Sequence, residues 1–168
     1  MSAIDELVAN NRKYAEAYLA EPSGRPTRAV AIVACMDARM DVYALLGLAP
    51  GEAHVVRNAG GEITEDVLRS LTISQHELGT TEIILIHHTK CGMQTFTNKE
   101  FKHELEVETG HKPHWATLAF TDVEADVRRS LARVRSCPFL RHVDQVRGFV
   151  FDVADGSLRE VTSTAHGA

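Results

Sequence analysis

The sequence predicts an α/β fold: a central, mainly parallel β-sheet of four parallel strands and an antiparallel fifth, flanked by helices. Three observations predict it. Residues 29–35 and 83–86 are short, unbroken apolar runs rich in β-branched side chains, the pattern of strands covered on both faces. Stretches with helical spacing of apolar residues separate the strands, as βαβ crossovers require. Near the C-terminus, Asp155-Gly156 is a hairpin signal, so the last strand should return antiparallel.

The elements follow in order. Leu7, Tyr14, Ala15 and Tyr18 recur at roughly helical spacing and predict an amphipathic helix over 4–19. Pro22, Gly24 and Pro26 then form a loop. The first strand covers 29–35, and a short helix over 42–46 should stop at Gly47. After the Pro50-Gly51 turn, residues 53–57 form a second strand. Thr64 can cap a third helix, with Glu65 and Asp66 at its positive end and a stop at Gly79. Residues 82–88 are the third strand. Residues 94–120 are polar and predict only short helices and loops. Thr121 and Glu124 have capping-box spacing before a helix that ends near 135. A fourth strand over 148–153 and a fifth over 157–162 complete the sheet. The expected organisation is one domain, 1–163, with a helical arm at 4–19 and a disordered tail at 164–168.

Composition narrows the function. The chain has 168 residues, and its 44% hydrophobic and 24% charged residues are ordinary for a folded domain. With 18 basic against 23 acidic residues, the net charge is -5, so a nucleic-acid partner is not expected. Arg128, Arg129, Arg133 and Arg135 read as the solvated face of a helix. The first residues show neither a basic lead nor an apolar core, and no run approaches the roughly 18 apolar residues of a membrane helix. A cytoplasmic location without membrane association is therefore expected. An odd count of three cysteines argues against a disulfide framework in that compartment; Cys137 reads as a buried or incidental thiol, and Cys35 and Cys91 have more telling neighbours.

Cys35 ends the first strand and His88 the third, where open α/β sheets gather their sites. Cys91 follows His88 by three positions. Two sulfurs and one imidazole suit zinc, and three protein ligands leave a position for chemistry. Copper accepts the same donors. His87 should point away from His88 by strand alternation and serve packing. Asp37 and Arg39 can project alike from the loop after Cys35, where a guanidinium can fix a carboxylate. A structural zinc module would need neither that pair nor an open position. A nucleotide-binding domain would need a P-loop or G-x-G-x-x-G after the first strand, and neither is present.

At these residues the sequence resembles the β-class carbonic anhydrases, a short bacterial branch in particular. The resemblance rests on Ala34-Cys35-Met36-Asp37-Ala38-Arg39, Pro50-Gly51-Glu52-Ala53, Val56-Arg57-Asn58-Ala59-Gly60 and His88-Thr89-Lys90-Cys91-Gly92, all within 29–96. It implies reversible hydration of carbon dioxide to bicarbonate with one Zn2+ per subunit on Cys35, His88 and Cys91. It implies a catalytic dyad of Asp37 and Arg39, and substrate contacts at Gly92, through its N–H, and at Gly60. Asp37 either accepts a hydrogen bond while Arg39 holds it, or is released to become a fourth ligand; the resemblance admits both. It also implies a homodimer or larger homo-oligomer, with the N-terminal helix reaching onto the partner. Departures are the absence of a glutamine just before Cys35, Ile73 where an aromatic is common, and Met93 where glycine is common. His54 and His76 are candidate proton shuttles. A hydrolase acting on carbon disulfide or carbonyl sulfide is the nearest rival on the same ligands.

Overall fold

The structure is a computed structural model that describes residues 2–20 and 23–162. Its strands are β1 (Val30–Cys35), β2 (Ala53–Asn58), β3 (Glu82–His88), β4 (Val146–Phe151) and β5 (Leu158–Glu160). They form one sheet in the order β2-β1-β3-β4-β5. β1 pairs in parallel with β2 and β3, β3 pairs in parallel with β4, and β5 alone is antiparallel. The predicted fold class stands. From β1 the chain steps to one side for β2 and then crosses to the other for β3. The crevice between the C-terminal ends of β1 and β3 is therefore the topological switch point.

The helices are α1 (Ala3–Glu16), α2 (Val42–Leu46), α3 (Glu65–His76), α4 (Asn98–Thr109) and α5 (Val123–Arg135). On one face of the sheet, α3 and α5 set Val67, Leu71, Val127, Leu131 and Val134 against Ala31, Val33, Ile83 and Leu85. Gly148 of β4 lies under Val127 and Leu131, which occupy the space a side chain would need. The other face packs Ile32, Ala34, Met40, Val42, Phe120 and Phe151.

Several boundaries differ from the sequence reading, each for a local reason. α4 is twelve residues long where loops and short helices were expected. It is mostly polar and buries no residue, and the reciprocal Thr97–Glu100 cap and the left-handed Gly110 define it. α5 is capped by Asp122 rather than Thr121: the Asp122 carboxylate accepts from the N–H groups of Glu124 and Ala125. α1 ends at Glu16, and α3 ends at His76 ahead of the left-handed Gly79. β4 begins at Val146 and ends at Phe151, not 148–153, and β5 is shorter than predicted. Arg128, Arg129 and Arg133 are not merely solvated; they pair with Glu124, Asp126 and Glu65 respectively. Cys137 is buried and free, as expected. The predicted tail, 164–168, falls outside the described residues.

α1 buries no residue, and Ile4, Leu7 and Val8 are 72%, 67% and 57% exposed, so its apolar face is uncovered among the described residues. Among the described residues, no helix is long and apolar enough to cross a membrane.

Candidate metal centre

Parallel pairing of β1 with β3 sets Ala34 beside Ile86, so both strands release their chains into one crevice. Cys35 is the last residue of β1 and His88 the last of β3. Lys90, in the left-handed region at φ +53°, turns the following loop back so that Cys91 returns to the same point. The ligand atoms of Cys35, His88 and Cys91 all lie within 4.8 Å of one another, and all three residues are buried. The two sulfurs are 4.0 Å apart. Two tetrahedral zinc–sulfur bonds of about 2.3 Å would set them about 3.8 Å apart. His88 Nδ1 lies 3.0 Å from the Thr89 carbonyl, which accepts its N–H. That bond leaves the Nε2 lone pair free, and Nε2 is buried with no protein partner. A borderline-soft cation fits this donor set.

The thiols respond to each other. The hydrogen bond from Cys91 lowers the Cys35 pKa; burial opposes it and His88 adds to it. The same bond and burial raise Cys91. Burial works against the imidazolium of His88, but the adjacent Cys35 sulfur and its charge win, and its pKa rises.

Asp37 and Arg39 meet as expected. Arg39 Nε donates to Asp37 Oδ1 at 2.9 Å and Nη2 to Oδ2 at 2.7 Å, a bidentate pair, and the Arg39 N–H also donates to Oδ1. These bonds hold the Asp37 carboxyl well below the usual carboxylate range. Arg39 Nη2 also donates to the Lys90 carbonyl at 3.0 Å, tying the β1 loop to the β3 loop. Asp37 Oδ2 lies 3.6 Å from His88 Nε2, so the carboxylate faces the donor set while staying on Arg39.

The family model for carbonic anhydrase matches residues 30–158 of this chain. Beta-carbonic anhydrase 1 of Mycobacterium tuberculosis is 52% identical over 162 residues, covering 96% of this chain and 99% of that protein. This chain belongs to the β-carbonic anhydrase family. The crystal structure of a carbonic anhydrase from Streptococcus mutans superposes with a TM-score of 0.90 at 43% identity, covering 96% of this chain and 99% of that one. A carbon disulfide hydrolase of Acidianus sp. is 35% identical over 135 residues, 79% of this chain and 62% of that protein.

In this β-carbonic anhydrase the remaining candidates separate. Gly92 is exposed, with open space where a side chain would be. Gly60 is buried at φ +85°, between Glu62 and Met93, and its backbone helps lower the Cys35 pKa. Its placement suits support of the thiolate more than contact with substrate. His87 does point away: its Nδ1 lies 2.8 Å from Asp126 of α5, and burial pulls its pKa down to about 4. His54 sits opposite Ala31, at the far end of the strands from Cys35, within 2.7 Å of Ser74 and 3.2 Å of the Gly24 carbonyl. His76 lies 2.9 Å from the Phe139 carbonyl. Both rings are engaged in packing away from the crevice. Ile73 lines a separate cleft of 790 Å³ between α3 and residues 136–141.

One brace escaped the sequence reading. Arg57 donates from Nε to the Cys35 carbonyl at 2.9 Å and from Nη2 to the Asp37 carbonyl at 2.7 Å. It fixes the backbone that carries both a ligand and the dyad. The signal was a cation near the end of a half-buried strand, beside Asn58, which itself clamps the next loop.

Proposed function

We propose that this β-carbonic anhydrase reversibly hydrates carbon dioxide to bicarbonate and a proton, with one Zn2+ per subunit on Cys35 Sγ, His88 Nε2 and Cys91 Sγ. The observation that carries the reading is a buried Cys-His-Cys donor set facing a carboxylate that a guanidinium holds in place. When bound, zinc would lower the pKa of a water to about 7, the value established for carbonic anhydrases themselves, and so supply the nucleophile.

The chain's own residues do the rest. Asp37, an acceptor throughout the neutral range, takes a hydrogen bond at Oδ2 from the attacking oxygen and orients it toward the carbon of CO2. Arg39 holds that carboxylate in position. The bidentate pair favours this arrangement over the one in which Asp37 swings onto the metal as a fourth ligand. The N–H of Gly92, an exposed residue next to Cys91, would donate to bicarbonate oxygen. Gly60 and Arg57 steady the Cys35 side of the site.

The uncovered face of α1 supports a homodimer or larger homo-oligomer, in which the helix packs on a second copy. Three free buried cysteines support a cytoplasmic setting. The chain is 52% identical to a carbonic anhydrase, against 35% for the carbon disulfide hydrolase, which favours CO2 as substrate. Metal analysis of the purified protein, paired with stopped-flow hydration of CO2 and assays with carbon disulfide and carbonyl sulfide, tests the reading. One zinc per chain with CO2 turnover supports it; zinc with sulfide-gas hydrolysis alone, or no turnover, ends it.

A further inference from the structure

Hydration releases a proton that must leave the crevice. Asp37 is committed to Arg39, which holds both of its carboxylate oxygens. His54 and His76 are bound at the other end of the sheet. Glu62 remains. It is 4% exposed, and its Oε1 is fully buried without a hydrogen-bond partner. Asn58 fixes its backbone from both sides, accepting the Glu62 N–H and donating to the Glu62 carbonyl, each at 2.8 Å.

The carboxyl lies between the crevice and a second opening. Gly60 precedes Gly61, which packs against the Cys35 backbone, and presents its α-carbon to the carboxyl: a side chain there would come 3.1 Å from Glu62 Cγ and 3.6 Å from Oε1. On its other side, Arg129 Nη2 is 3.8 Å from Oε1, beyond hydrogen-bonding distance. Arg129 is half exposed and lines a surface cleft of 290 Å³ with Phe96, Phe120 and Asp122.

We propose that Glu62 takes up the proton released by hydration and passes it to solvent through the Arg129 cleft, a role that rests on the hydratase reading above. Water and CO2 give bicarbonate and H+; the Glu62 carboxylate becomes a carboxylic acid, then returns the proton to water or buffer in the cleft. Glu62 acts through intervening water and touches no substrate. Its surroundings suit the task. From α5, Arg129 and Arg133 favour the carboxylate, but Asp126 answers the first and Glu65 of α3 the second. His87 of β3 is held neutral by burial. Burial prevails at Glu62 and sets its pKa at about 7.

The test is stopped-flow CO2 hydration by zinc-loaded wild type, E62Q and E62D across a range of buffer concentrations. In dilute buffer, E62Q should lose kcat by about tenfold or more, keep kcat/KM within about twofold, and regain kcat when imidazole is added. E62D should lie between. Unchanged kcat in dilute buffer for either variant overturns the relay. A parallel fall in kcat and kcat/KM without imidazole rescue also overturns it, because a packing role would produce that. If E62Q does not fold, E62D decides by the same criteria. A wild-type enzyme inactive toward CO2 at every buffer concentration would instead sink the proposed function.

Discussion

Replacing Gly61 with alanine should disturb the metal centre through backbone alone. Gly61 sits at φ +74°, and a Cβ there would come 3.0 Å from the Cys35 nitrogen, 3.1 Å from the Ala34 carbonyl carbon and 3.1 Å from the Ile86 oxygen. Those atoms belong to the two strands that deliver Cys35 and His88, and no flexible side chain is available to yield. The left-handed backbone costs alanine about 1–2 kcal/mol, and forcing strand backbone aside adds about 1–3 kcal/mol. The expected loss is about 2–5 kcal/mol, or roughly 5–15 °C in melting temperature for a chain of this size. Gly110 is the control: it has nearly the same φ, +73°, but open space around it. Gly110→Ala should lose only the backbone share, about 2–6 °C. Scanning calorimetry and zinc analysis of both variants separate the two costs. A Gly61→Ala protein that melts no lower than Gly110→Ala and holds full zinc would refute the close-approach reasoning.

The remaining predictions concern the ligands and a buried acid. Cys35→Ser and Cys91→Ser should each lose most bound zinc by metal analysis, whereas Arg39→Ala should keep it and lose CO2 turnover; full hydration by a zinc-free Cys35→Ser protein would contradict the assignment. Glu62 binds its proton more tightly folded than unfolded, because its pKa rises from 4.5 to about 7. The stability it contributes is complete below about pH 4.5 and is lost as pH rises through about 7. Denaturant unfolding of E62Q against wild type should therefore show a difference near zero at pH 4.5, growing in favour of E62Q by up to about 1.4 kcal/mol per pH unit, then level above pH 7. His87 acts in the opposite direction, losing stability as pH falls from 6.5 toward about 4, so the difference between the proteins is the quantity to follow. A flat difference across that range would mean Glu62 is not held protonated by burial.

The strands that build the crevice were legible because β1 and β3 are buried on both faces and carry apolar residues without a break. α4 was not, because its apolar residues, Phe101, Leu105 and Val107, are too few among polar neighbours to set a helical period. The cap of α5 was misplaced by one residue because Thr121 and Asp122 are both good caps, and only the geometry shows which oxygen meets the free N–H groups. The ligands and the dyad could be read from the local segments around Cys35 and His88, whose spacing carries the chemistry. Arg57 and Glu62 could not be weighed that way. Cations and acids usually face solvent, and their placement here depends on contacts with Cys35, Asp37 and Arg129 that are distant in sequence.

X-ray absorption at the zinc edge tests the centre most directly. The predicted spectrum has two sulfur neighbours at about 2.3 Å and nitrogen or oxygen neighbours at about 2.0–2.1 Å. A shell of nitrogen and oxygen alone, or protein that binds no zinc with all three side chains intact, would contradict it.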